Sequence, residues 1–415
     1  MRKFLVAILF LTCFVSGESF ANNGPNLIGV APASIAMGGT GVANFTGGLT
    51  ALYKNPSTLS DSLVLDHTWN LELSVGMISE NASASGGTAY TTKASTAPMR
   101  FIPDLALTYK LDSMFSFGFG VMGTAGSSVN YVNQAELSQL GSTFNLVRFV
   151  PAIAVQPVKG VSLGAGPIMN YGELSLNYQD GTGIASGRQP HGAVGWGFEV
   201  GAEYKPTDEV TLGGSFLSAS QATYPTIAQF DLFGPNVFNP AGINDLTMTQ
   251  PWELAFGVTA KLCSEMKVTV DYRHIAWDQV DPFRSLNWGG QDVFSVGGEI
   301  KLEKLSIRAG YSFSPAFVPT TSGEDGASVV SMQGRPVFTQ NVSLLDATVF
   351  PAYNQHHITL GAGYPVLANL TIDASAFWAP TSTLTRSGTG ATGATYKYTG
   401  NVSLWSATLG ANYSF

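Results

Sequence analysis

The sequence predicts an all-β protein: a 14-stranded antiparallel transmembrane β-barrel with an N-terminal hatch, or plug, inside its lumen. Three observations lead there. The chain ends on an alternating run, with Trp405, Ala407, Leu409, Ala411, Tyr413 and Phe415 on one face and Ser406, Thr408, Gly410, Asn412 and Ser414 on the other. That period of two marks a strand with one apolar side. Charged residues make up only 12% of the chain while 45% is apolar, and that charge content is about half the usual share of a soluble domain. Finally, Arg2 and Lys3 precede an apolar stretch from Phe4 to Val15, followed by Ser19-Phe20-Ala21, the form of a cleaved secretory leader.

Residues 1–21 are therefore expected to be a signal peptide, with Asn22 as the first mature residue. The apolar stretch is too short for a membrane-spanning helix, and Thr12 before Cys13 argues against lipoprotein processing. Cleavage removes Cys13, so Cys263 stands alone and is expected to be a packed residue, with no disulfide partner. No later segment is apolar long enough to cross a bilayer as a helix. Alternation resolves the conflict, because it turns the apolar half toward lipid and the polar half toward a lumen. A net charge of -8 and a pI near 5.1 exclude a broad basic nucleic-acid surface.

Residues 62–415 are expected to form the barrel. Short connections fall at 110–113, 156–160, 205–209, 263–265, 302–304 and 365–369, and long ones near 80–100, 124–143, 173–191, 220–249, 280–291, 315–355 and 383–400. Six turns and seven loops join 14 strands and leave both ends on one side. Strands of roughly ten residues are enough to cross. The runs Leu370–Trp378, Leu305–Phe313 and Trp252–Leu262 repeat the alternation of the last strand. Aromatics at both ends of that strand suit the two interfacial girdles. A strand ending in a free Phe415 resembles the closing strand of outer-membrane barrels, which places the chain in the outer membrane of a Gram-negative bacterium.

Residues 22–61 do not alternate. They are rich in small residues and turn formers, including Gly38, Gly39 and the run Asn55-Pro56-Ser57. Such a segment cannot lie in lipid with its backbone unpaired, but it can fill a wide lumen. Asn55-Pro56 gives a rigid turn in which the Asn side chain bonds nearby backbone.

These residues resemble the FadL family of long-chain fatty-acid and hydrophobic-compound transporters. The run from Ser34 to Ala43, then Tyr53-Lys-Asn-Pro-Ser57, looks like the family's hatch, with Ser57 where Ala is usual. Gln250–Gly257 with Val270–Asp278, Ser295–Glu299 with Leu305–Tyr311, and His357–Tyr364 fit later family strands. The resemblance implies passive uptake of long-chain fatty acids or hydrocarbons without a cofactor. External loops would catch the ligand and a lumen pocket would hold it. Hatch movement would then release it sideways through a kink in the third strand. It further implies contact with outer-membrane lipid and lipopolysaccharide, assembly through the Phe415 strand by the barrel-assembly machinery, and a monomer.

Candidate sites follow from the same pattern. Gly118, Gly120 and Gly123 in the third strand permit a kink; they serve either a lateral gate or close packing against the hatch. Alternation turns Arg148, Arg273 and Arg308 into the lumen, to meet a ligand carboxylate or to pair with lumen acids such as Glu253, Glu299 and Asp373. Phe230, Phe233, Phe238 and Phe350 lie in long loops, as a capture groove or as loop-to-loop packing. No catalytic or metal-binding spacing is present. A water-filled porin is the main alternative and a barrel lipase or protease a remote one; an open porin has no use for a plug.

Overall fold

The computed structural model describes residues 24–61, 67–86, 92–131, 140–179, 185–186, 190–225 and 245–415. The expected leader and the loop residues Phe230, Phe233 and Phe238 lie outside them. Fourteen strands cross the wall. The first seven are β1 (Thr68–Gly86), β2 (Arg100–Lys110), β3 (Phe115–Asn130), β4 (Gly141–Val158), β5 (Val161–Gln179), β6 (His191–Tyr204) and β7 (Val210–Leu217). The second seven are β8 (Glu253–Cys263), β9 (Met266–Ile275), β10 (Gln291–Leu302), β11 (Leu305–Phe313), β12 (His356–Leu367), β13 (Leu370–Thr389) and β14 (Thr395–Ser414). Each pairs antiparallel with its neighbour, and β14 returns to β1 from Asn70↔Ser414 to Gly86↔Tyr398. Phe415 and Trp69 exchange backbone hydrogen bonds of 2.9 Å in each direction at the seam. Closure leaves no free outer edge, which a bilayer demands.

Alternation sorts the side chains as expected. Val75 pairs with Leu409 and Val258 with Val270, and all four are exposed on the outer face. Trp378 lies opposite Trp405 toward one rim, and Trp69 packs on Tyr109 at 4.6 Å at the other. Six short turns stand where the sequence puts them. Cys263 departs from expectation: it is exposed, because it ends β8 at a turn, beyond the packed part of the wall.

The strands are also longer than a bilayer needs, with β1 and β5 at 19 residues and β13 and β14 at 20. The expected loop 383–400 is in fact the top of β13, a tight turn closed by Gly390 N–H to the Ala394 carbonyl at 2.8 Å, and the start of β14. Period-two burial continues through Leu384 and Arg386 and through Tyr396, Tyr398 and Val402. Small polar residues on the other face hid that rhythm. The inner row meets a lid from the 314–355 connection, which holds helix α3 (Thr339–Thr348; α1 and α2 belong to the hatch) and a two-stranded ribbon, Val329–Met332 with Arg335–Phe338. Trp277, Phe283, Trp288 and Phe317 pack edge-on or tilted beneath it, with ring centres 4.5–5.6 Å apart. Asp346 of α3 accepts from Trp288 Nε1 at 2.9 Å and pairs with the buried Arg386. Burial nonetheless pushes its carboxyl up to about 6.

The hatch consists of α1 (Pro32–Ile35), α2 (Gly48–Lys54) and a 3-10 turn over Pro56–Asp61. It is tied to the inner wall by carboxylates that take its backbone N–H groups. Asp271 Oδ2 accepts from Gly41 at 2.7 Å and Val42 at 3.0 Å, and Glu72 Oε2 accepts from Leu49 at 2.9 Å. Asn55 Nδ2 donates to the Val42 carbonyl at 2.6 Å and to Ala202 of β6 at 3.2 Å, while Ser57 Oγ donates to Asn55 Oδ1 at 2.7 Å. Gly38 has φ +73, and a Cβ there would lie 2.7 Å from the Tyr311 carbonyl oxygen. Only glycine satisfies both constraints. The wall answers in kind: Gly297 and Gly310 are cross-strand partners, and a Cβ on Gly310 would lie 2.2 Å from Gly38 N.

Gly310→Val should therefore lift the hatch from β10 and β11 while the barrel still closes. The overpacking cost is about 1–3 kcal/mol, seen as a lower melting temperature and faster proteolysis within 24–61. Wild-type melting together with wild-type protection would refute this contact.

Candidate functional site

One seam of the wall is incomplete. β2 and β3 pair from Lys110↔Ser116 to Leu105↔Val121 and then part, although β2 stays on β1 as far as Arg100↔Ile78. Two causes are visible. Pro103 lies in the parted stretch and has no N–H to offer a neighbour. β3 carries a bulge, seen as a register shift against β4 between Gly123 and Ala125. Burial switches phase there, from Met122 and Thr124 to Ala125, Ser127 and Val129. Such a bulge bends a strand and re-aims its side chains. Above the parting the wall closes again, with Ala94 opposite Ser83 of β1 and Thr96 N–H bonded to the Asn130 carbonyl of β3 at 2.9 Å. The result is a bounded window between β2 and β3.

The window is dressed by side chains. Asp104 Oδ1 accepts the Gly123 N–H at 2.9 Å, so a carboxylate stands in for the missing strand partner. Ile102 fills the space beside Gly123, where a Cβ would lie 2.4 Å from Ile102 Cγ2. Behind lies a cavity of about 580 Å³, lined by Ile78, Phe101, Ile102, Val121, Leu146 and Leu404, a volume within the range of small-molecule sites. Its polar side is formed by Glu80, Arg100 and Asn145. Arg100 Nη1 donates to Asn145 Oδ1 at 2.9 Å and to the Phe144 carbonyl at 3.2 Å, while Nη2 is buried with no hydrogen-bond partner among the described residues. Glu80 is already held by Ser128 N–H at 3.0 Å.

The structure separates the candidate residues. Gly123 stands at the window. Gly118 and Gly120 lie in the paired part of β3, where added Cβ atoms would meet Leu52 of the hatch at 3.0 Å. All three arginines are buried inside the barrel. Arg308 is clamped between Glu299 at 2.6 Å and Asp373 at 2.5 Å, and Arg273 bonds Glu253 at 3.1 Å. Arg148 reaches Asn170 at 3.3 Å and stands 5.8 Å from the Tyr53 ring centre. Lys54 donates to the Ile28 carbonyl at 2.8 Å, and burial holds its ammonium well below the usual range. Phe350 packs, partly buried, against the lid, where Phe317, Val349 and Tyr353 are buried. His356 and His357 face opposite sides, His356 onto Tyr311. Arg100, Ile102 and Asp104 escaped the sequence reading; Pro103, inside an otherwise strand-like run, was the available signal.

A closed barrel with a plugged lumen and a window in its wall defines an outer-membrane channel. The chain belongs to the family described as "Outer membrane protein transport protein (OMPP1/FadL/TodX)", whose model matches residues 10–329. It is thus an outer-membrane transport protein. Its fold is shared by a FadL homologue of Pseudomonas aeruginosa, at 15% identity and TM-score 0.67 over 94% of this chain and 99% of the other. The Ralstonia pickettii toluene transporter TbuX matches at 17% and 0.65, again over 94% and 99%. The Pseudomonas putida toluene transporter TodX matches at 18% and 0.64, over 94% and 98%. No curated protein sequence matches the chain.

Arg308→Met should strand Asp373 as a buried charge and leave Glu299 with Lys267 alone, 3.4 Å away, at about 3–5 kcal/mol. Thermal melting should fall sharply while apolar ligands still bind. A stable barrel that loses ligand binding would instead make Arg308 a ligand residue.

Proposed function

We propose that this protein carries hydrophobic small molecules with one polar end, of the long-chain fatty-acid kind, across the outer membrane. They reach the cavity behind β2 and β3 and leave sideways into the bilayer through the window. The observation that carries this reading is that the seam parted between β2 and β3 opens onto a cavity of about 580 Å³. Its physical logic is partitioning. An apolar molecule gains nothing from a water-filled pore, but about 0.8 kcal/mol per methylene buried on reaching hydrocarbon. Lipopolysaccharide slows direct entry, and a wall opening below it bypasses that layer. Similarity to toluene transporters supports an apolar cargo, and the buried hatch argues against an open porin. Capture by the outer loops, with Phe350 and the lid at the entrance, completes the path. Assembly through the Phe415 strand and a monomeric state belong to the same reading.

The route is testable with a reversible lock. Gly123 and Ile102 would place their Cβ atoms 3.8 Å apart, within disulfide range. In a Cys263→Ser background, oxidised Ile102→Cys/Gly123→Cys should lose uptake, and reductant should restore it. Equal uptake in both states would place the exit elsewhere.

The polar end is tested at Arg100. A charge-assisted hydrogen bond is worth about 1.5–3 kcal/mol, so Arg100→Met should abolish a preference of about tenfold or more for a long-chain carboxylate over the matching alkane. If wild-type protein binds both equally, the cargo is a plain hydrocarbon.

A further inference from the structure

The cavity behind the window is capped by part of the lid. The cap has its base on β13 and β14. There Asp346 of α3 pairs with Arg386, and Asn354 Nδ2 donates to the Val402 carbonyl at 3.0 Å and to the Pro380 carbonyl at 3.3 Å. Between these two anchors the chain crosses to β4, where Ser142 Oγ donates to the Val349 carbonyl at 2.7 Å. On the way back Pro351 and Ala352 form part of the cavity lining. The fit at the base is close, because a Cβ on Gly400 of β14 would overlap the Ala347 carbonyl. Residues 346–354 therefore have the form of a flap, with its base on one wall and its tip pinned to another.

The base carries a charge imbalance. Arg386 is buried and bonds two carboxylates, Asp346 and Glu324, the latter at 3.3 Å. Glu324 belongs to a lid strand, Thr321–Asp325, that runs parallel beside β13. It also accepts from Ser343 Oγ at 2.6 Å and from Tyr396 Oη of β14 at 2.9 Å. Trp288 faces Asp346 from the segment beneath, and Tyr353 faces it from the flap itself. Arg284 borders the same pocket as Arg386 and Glu324, but it is exposed and paired with Asp281. Among the described residues, then, two buried carboxylates share one buried guanidinium, and one negative charge is in excess. Such a charge is costly away from water. A proton on Asp346 removes the excess, and so does lifting Asp346 into solvent.

We propose that residues 346–354 are a pH-sensitive flap on the transport cavity, shut when Asp346 is neutral and released to admit cargo from outside when Asp346 is ionised. Burial sets the Asp346 carboxyl near 6, against the ordinary 3.8 of an exposed aspartate. The shut flap thus holds the proton more tightly than the open one, so acidification shuts it.

This inference rests on the cavity being the transport cavity, and its test is separable from that reading. The probe is a long-chain alcohol, whose own charge does not change in this range. Wild-type uptake into proteoliposomes should fall about tenfold from pH 7 to pH 5, as one carboxyl with this difference in proton affinity requires. Asp346→Asn should hold uptake at the low level at both pH values. Equal wild-type uptake at the two pH values, or a fall of the same size in Asp346→Asn, overturns the flap. If the crosslink between positions 102 and 123 still blocks uptake in that case, the window stands without it. Should the variant fail to insert, hydrogen exchange on the wild type decides. The Val349 and Phe350 amides bond the Leu345 carbonyl, and their protection, corrected for intrinsic rates, should rise on acidification. Protection that stays level or falls overturns the proposal.

Discussion

Everything in this structure depends on one demand: backbone N–H and C=O groups within a bilayer must find partners inside the protein. The closed ladder of β1 to β14 meets it nearly everywhere. Where β2 and β3 part, the protein meets it with substitutes. Asp104 takes the Gly123 N–H, and Pro103 has no N–H to satisfy. The hatch supplies the remaining partners at Thr124 and Gly126. At the window the Gly123 and Gly126 N–H groups and the Thr124 carbonyl are answered by something other than a neighbouring wall strand.

The lumen follows a related rule for charge. A buried ion is tolerated when it is paired and hydrogen-bonded, and the inner wall shows this in Arg308 with Glu299 and Asp373 and in Arg273 with Glu253. Asp271 and Glu72 have hatch N–H groups as partners. The plug is thus part of the electrostatic solution of the barrel, and its fit depends on glycine faces such as Gly310 against Gly38. Small residues let the backbones approach, and carboxylates fix the register of approach.

Much of the architecture was legible in the sequence because alternation has one physical cause, the contrast between lipid and lumen. The 14 strands, the six turns and the inward arginines all follow from it. Reading failed where the contrast weakens. Above the bilayer the outer face of β13 and β14 meets water, so small polar residues replaced apolar ones and the strand looked like a loop. Helix α3 was missed because its burial comes from tertiary cover by the lid, with no strong apolar stripe of its own. At the candidate site the glycines drew attention to β3, yet only Gly123 stands at the opening. The partner strand set the other half through Pro103 and Ile102, and no pattern within one strand reveals which neighbour will leave it.

The pairing of Thr96 with Asn130 above the window has a mechanical consequence. The opening is framed at both ends, like a porthole in a hull, so widening it cannot propagate as a tear along the seam. Strand number and stagger stay constant whichever way the frame is filled. Hoop strength and permeability are therefore carried by different residues, and one can drift in evolution without loss of the other.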